Sequence, residues 1–191
     1  MKKKQIYIHL GFPKTASTYL QSNIFPNIKE ALYLGKPFEN TIRILENKIL
    51  KLNQTQYEQE KKGLINSLEK IFNKSNNKYI LSHEGFLRCT RYNEPDNPIS
   101  NNIFQTLKRL YEIFSNYCEV NFILVIRKYD EMLRSYFLQF HSEFKFEYNE
   151  DNFLKDLREN KTEKNILNNF YYGEIIKFIK KLKINYKVLI Y

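Results

Sequence analysis

The chain has no tryptophan and only two cysteines among its 191 residues. Cys89 and Cys118 make no disulfide framework, so a reduced, cytoplasmic setting is the simpler expectation. No apolar stretch approaches the length of a transmembrane helix. The N-terminal "MKKKQIYIHLGFPK" begins like a signal peptide, but its apolar run is short and His9, Pro13 and Lys14 interrupt it. A soluble protein is expected. Metal-ligand spacing is also missing, because the three histidines are isolated and the cysteines lie far apart. Without an internal repeat, linker or low-complexity tail, the expectation is one domain spanning residues 1–191.

What is present is aromatic and basic. Fifteen Tyr and fifteen Phe allow a substantial core in a chain of this length. The net charge of +10 attracts anions of some kind: nucleic acid, acidic glycans, a membrane surface or nucleotide phosphates. Charge alone does not choose among them, and solvated surface lysines account for part of it. The basic segment "KFIKKLK" reads as a solvated helix face. Its aromatics sit at core spacing rather than between the charges, so no nucleic-acid partner is expected.

Short apolar runs rich in β-formers predict strands over Gln5–Leu10, Lys78–Ser82, Glu119–Ile126 and Tyr186–Tyr191. "EVNFILVI" is continuous enough to be buried on both faces. Apolar residues spaced by three and four predict helices over Thr41–Leu52, Thr55–Asn73, Ser100–Tyr117, Tyr129–His141, Asn152–Glu159 and Thr162–Lys183. A further helix is expected from Ser17 to Phe25. Lys29–Asn40 reads as irregular and Leu87–Pro98 as a loop. Strands alternating with helices imply an α/β fold of three layers, a mostly parallel central sheet flanked by helices.

In such folds ligands sit beyond the carboxyl ends of the strands. "IYIHLGFPKTASTYLQS" runs through one of those ends as strand, turn and helix start. Gly11 permits a tight turn and Pro13 stiffens it. The amides that follow open a helix and form an anion seat. Lys14 adds a full charge, and Thr15, Ser17 and Thr18 add hydroxyl donors. The ordinary alternative is a helix N-cap supplied by Thr15 or Ser17. No Gly-Lys-Ser/Thr triplet closes the loop, so it is not a Walker A sequence. A second strand end, "ILVIRKYDEMLRSYFLQF", carries Arg127, with Ser135 eight residues on. Arg127 could grip a second phosphate bidentately, or simply pair with Asp130 or Glu131.

"PKTASTYL" resembles the 5′-phosphosulfate loop of the sulfotransferase family, PKxGTTxL. "VIRKYDEMLRSYF" resembles that family's 3′-phosphate motif, an arginine closing a strand with a serine eight residues later and an aromatic after it. "NNFYYGEIIKFIKKLKINYKVLIY" resembles the family's helix and following strand, so the likeness covers nearly the whole chain in pattern. The resemblance implies a P-loop NTPase-like sheet and the cofactor 3′-phosphoadenosine 5′-phosphosulfate (PAPS). It assigns Lys14, Thr15, Ala16, Ser17 and Thr18 to the 5′-phosphosulfate and Arg127 and Ser135 to the 3′-phosphate. Tyr19 falls where relatives place an aromatic near the adenine. Ala16 departs from the family glycine, and alanine fits only if its φ stays negative. The family also has a glycine- and basic-rich segment after the last strand. This chain ends before it, so the C-terminal portion of the family domain is expected to be missing.

The expected activity is transfer of a sulfuryl group from PAPS to a hydroxyl or amine on a small molecule or carbohydrate. Lys14 would stabilise charge on the leaving phosphate oxygen, and no metal is required. The acceptor needs a general base. "YILSHEGFL" offers His83 and Glu84 at a strand end. The resemblance allows either, since some members use a histidine there and others a glutamate, with Glu39 a further rival. His9 reads as structural. Loops Leu32–Thr41 and Leu87–Pro98, with Lys36, Arg88 and Arg91, would face the acceptor. Two other readings remain open: a P-loop phosphotransferase, and a non-catalytic nucleotide- or anion-binding module.

Overall fold

The computed structural model describes residues 3–12, 15–35, 44–45, 47–73, 76–87, 103–144, 151, 155 and 172–191, without the side chains of 136 and 139–144. Five strands form one sheet: β1 (Gln5–Gly11), β2 (Leu32–Tyr33), β3 (Lys78–Ser82), β4 (Glu119–Ile126) and β5 (Asn185–Ile190). Their order is β2-β3-β1-β4-β5, and every neighbouring pair is parallel. Parallel neighbours need crossovers, and helices supply them. These are α1 (Ser17–Tyr19), α2 (Gln54–Phe72), α3 (Ile103–Phe114), α4 (Tyr129–Phe144) and α5 (Tyr172–Lys181).

Side chains alternate across each strand, and the sheet sorts them into two cores. Ile6, Ile8 and Leu10 of β1, Tyr79 and Leu81 of β3, and Val120, Phe122 and Leu124 of β4 join the main cluster with Leu64, Leu68, Leu107, Leu110, Ile175 and Ile179 of α2, α3 and α5. Each such side chain contributes about 1.5–3 kcal/mol on burial. The opposite face carries a smaller cluster of Phe25, Tyr33 and Ile80 with Tyr7, Leu20 and Ile28 against it.

Inside the main core, Arg109 of α3 is 1% exposed. Its guanidinium donates to Ile49 O (2.8 Å), Leu52 O (2.9 Å) and Gln54 Oε1 (3.1 Å), and it stacks on the Tyr57 ring at 4.2 Å. Those carbonyls close a π-helical turn, Asn47–Lys51. The carbonyls at a helix end need donors from elsewhere, and Arg109 supplies them, so one buried cation joins α3 to the entry of α2. Asn53 and Gln56 then start α2 with a reciprocal capping box.

Several sequence expectations are corrected here. The stretch after Ser17 is not one α-helix. Its single α-turn passes into a π-helical turn, Leu20–Ile24, and a 3-10 turn, Phe25–Asn27. The region read as irregular contains β2, two residues long and held by pairing with β3. β4 is not uniformly buried. Val120, Phe122 and Leu124 are buried, but Asn121 and Ile123 on the other face are half-exposed. Apart from Lys155, which is helical, the expected helix over Asn152–Glu159 lies outside the described residues, as do the first part of Thr162–Lys183 and the loop beyond Leu87. Among those described, no helix is long and apolar enough to cross a membrane.

Candidate functional site

β1 lies between β3 and β4, so the chain leaves it toward one side of the sheet and later returns to the other. That arrangement opens a crevice at the carboxyl end of β1. The register sets the neighbours. Gly11 pairs with Val125, two residues before Arg127, and His9 pairs with Ser82, directly before His83 and Glu84. Three segments that lie far apart in the chain thus end side by side.

Gly11 is required for space rather than for its torsion, since no glycine has positive φ. A Cβ there would stand 2.5 Å from Ser17 Oγ and 3.1 Å from Glu84 Cβ. The same close approach brings Glu84 beside the loop that contains Ser17. Thr15 is fully buried, and its hydroxyl donates to Phe12 O at 2.7 Å. Ser17 Oγ makes a longer bond to the same carbonyl at 3.4 Å. Both hydroxyls therefore brace the loop from inside, whereas Thr18 and Tyr19 (60% exposed) face outward.

Ala16 overturns its expectation. Its φ is 56° and its ψ 22°, the left-handed region. A non-glycine residue there costs about 1–2 kcal/mol. The loop keeps the backbone shape that glycine adopts easily, at the expense of strain in this alanine.

Arg127 follows β4, and its Nε donates to Glu131 Oε2 at 3.3 Å. Its guanidinium also lies 5.5 Å from the Tyr191 ring. The ion-pair alternative read from sequence is thus the arrangement present. Ser135 is half-buried on α4. It is four residues beyond Glu131 and shares its helix face.

His83 is half-buried, 5.1 Å from the Phe86 ring, and its amide donates to His9 O at 3.4 Å. Glu84 opens a 3-10 turn, Glu84–Leu87. Behind them is a buried polar cluster that sequence reasoning missed. His9 Nδ1 is 2.7 Å from Ser82 Oγ, and Gln21 Nε2 donates to the same oxygen at 3.1 Å. Burial lowers the His9 pKa to about 4, so the ring is neutral at pH 7. Parity in the strand gave His9 a face, but only the β1–β3 register shows that Ser82 stands opposite.

Lys14, Pro13, Glu39, Lys36, Arg88 and Arg91 lie outside the described residues. Among the described residues, no group of three His, Cys, Asp or Glu side chains is arranged to hold a metal ion. A mostly apolar cavity of about 280 Å³, lined by Tyr7, Phe25, Ile28 and Ile80 with Lys78 at its edge, opens on the smaller-core face. Lys78 begins β3 whereas His83 follows its end, so the cavity lies toward the opposite end of the strands from the candidate residues. Comparison with protein-family models and with curated proteins found no match to this chain.

Proposed function

We propose that the protein is a cytoplasmic sulfotransferase on a P-loop-like fold, moving a sulfuryl group from PAPS to a hydroxyl or amine of a small-molecule or carbohydrate acceptor. The observation that supports this reading is the Gly11–Val125 pairing, by which the strands leading into the Thr15–Tyr19 loop and into Arg127 end side by side. The two motifs that resemble the family's cofactor segments are remote in sequence and adjacent in the sheet. The left-handed Ala16 supports the same reading, because its backbone matches what the family's glycine would adopt.

The residues fit a ligand with two anionic ends. Lys14, the exposed Thr18 hydroxyl and the loop amides offer donors to one end, and Arg127 with Ser135 to the other. PAPS, when bound, supplies an activated sulfuryl group. Sulfuryl transfer resembles phosphoryl transfer in that the protein mainly positions and neutralises. Lys14 would neutralise charge at the leaving oxygen. His83 or Glu84, at the neighbouring strand end, would take the proton of the acceptor hydroxyl. Tyr19, largely exposed beside the loop, would offer a ring to the adenine.

Thermal shifts with adenosine 3′,5′-bisphosphate, ATP with magnesium, and RNA test the reading, because a ligand of the folded state raises its melting temperature. Stabilisation by the bisphosphate alone is expected. Stabilisation by ATP with magnesium and not by the bisphosphate would point to a phosphotransferase and overturn the proposal. In a sulfate-transfer assay, Lys14→Ala should abolish turnover. Bisphosphate binding without turnover in the wild type would instead favour the non-catalytic binding module.

A further inference from the structure

Tyr172, the first residue of α5, touches both candidate anion-binding arms. Its ring packs edge-on against Phe12, with centroids 4.6 Å apart and planes at 71°. Phe12 is fully buried, and its carbonyl is the one that holds the Thr15 and Ser17 hydroxyls. The Tyr172 hydroxyl donates to Met132 Sδ at 2.9 Å, one helical turn before Ser135 on α4. At the other end of the α5–β5 unit, Tyr191 donates its amide to Ile126 O at 2.9 Å and sets its ring against the Arg127 guanidinium. The last helix and strand therefore contact the β4–α4 arm at two points, and Tyr172 also reaches the base of the loop.

A phenylalanine would fill the same apolar space. The hydroxyl is the costly part, since burying it requires a hydrogen-bond partner. The partner it finds, Met132, belongs to the β4–α4 arm, while the ring lies on the β1 loop. We propose that Tyr172 is a positioning residue that holds the two arms at a fixed spacing, so that the site favours nucleotides carrying anionic groups at both the 5′ and 3′ positions. This inference rests on the sulfotransferase reading of the site. Tight binding of such a ligand depends on both arms being in place before it arrives, and a displacement near 1 Å is enough to lose much of that gain.

The test is calorimetric titration of the full chain with adenosine 3′,5′-bisphosphate and with adenosine 5′-monophosphate. The wild type should prefer the bisphosphate by at least about tenfold. Tyr172→Phe should lose about tenfold for the bisphosphate and less than about threefold for the monophosphate, the scale of one hydrogen bond. Met132→Leu conserves volume, removes the same bond from the other side and should give the same pattern, which decides the matter if Tyr172→Phe fails to fold. Met132 is one of only two methionines. Its methyl resonance should therefore move on bisphosphate binding in the wild type and stay still in Tyr172→Phe. Equal losses for both nucleotides, or none, would overturn the positioning role while leaving the proposed function intact. A wild type that binds neither nucleotide would overturn both.

Discussion

Arg127 is paired with Glu131 at 3.3 Å across the first turn of α4, and under the proposed function an anion would compete with that carboxylate. Glu131 is half-exposed, so the pair is worth about 0–1 kcal/mol. Glu131→Gln should therefore tighten bisphosphate binding by up to about fivefold, while Arg127→Ala weakens it by about tenfold or more. Unchanged affinity in Arg127→Ala, measured by titration, would remove the 3′-phosphate role from this residue.

Ala16 holds a left-handed backbone, which glycine adopts without a Cβ penalty. Ala16→Gly should raise stability by about 0.5–1 kcal/mol, the relief being offset in part by a more flexible unfolded chain. Gly11→Ala should act oppositely and cost about 1–3 kcal/mol through its clash with Ser17 Oγ. Adding Ser17→Ala should restore part of that loss. Urea midpoints of the four proteins give the comparison.

Arg109→Ala should destabilise by about 3–5 kcal/mol, because the acceptors around the π-helical turn, of which Ile49 O is buried, lose their donor and a large buried side chain is truncated. Arg109→Lys should recover little, since an ammonium cannot reproduce the planar fork or its stacking on Tyr57. A urea midpoint for Arg109→Lys close to wild type would show that charge alone suffices.

His9 is fully buried and titrates near pH 4, below the 6.5 of an unfolded histidine. Between those values the unfolded chain binds the extra proton, so stability falls as the pH drops through that window. The loss should reach about 2–3 kcal/mol by pH 4. His9→Asn should flatten this part of the urea-stability profile. An equally steep profile in the variant would assign the loss to other groups.

Much of the fold was legible from local pattern. β3 and β4 fall where their apolar runs predicted, β1 ends one residue later and β5 is shifted by one residue at each end. Two-residue β2 was not legible, because so short a strand is set by its partner rather than by its own residues. The π-helical turn after Tyr19 escaped for a related reason: apolar spacing signals a helix without specifying its hydrogen-bond step. At the site, Gly11, Ser17, Arg127 and Glu84 were visible as residue types at strand ends. An ion pair of Arg127 was visible too, with Asp130 and Glu131 as alternative partners, of which Glu131 is the one found. Tyr172 and the His9–Ser82–Gln21 cluster were not, since each joins elements far apart in the chain.

The sequence by itself determined where strands and helices form, because side-chain periodicity and turn chemistry act within a few residues. It also determined which residue types stand at the strand ends. Only the tertiary structure decided which ends adjoin, which face His9 shares with Ser82, and that Ala16 bears a positive φ. Those outcomes depend on strand order and register, and register is settled by simultaneous packing of side chains that the linear chain holds dozens of residues apart.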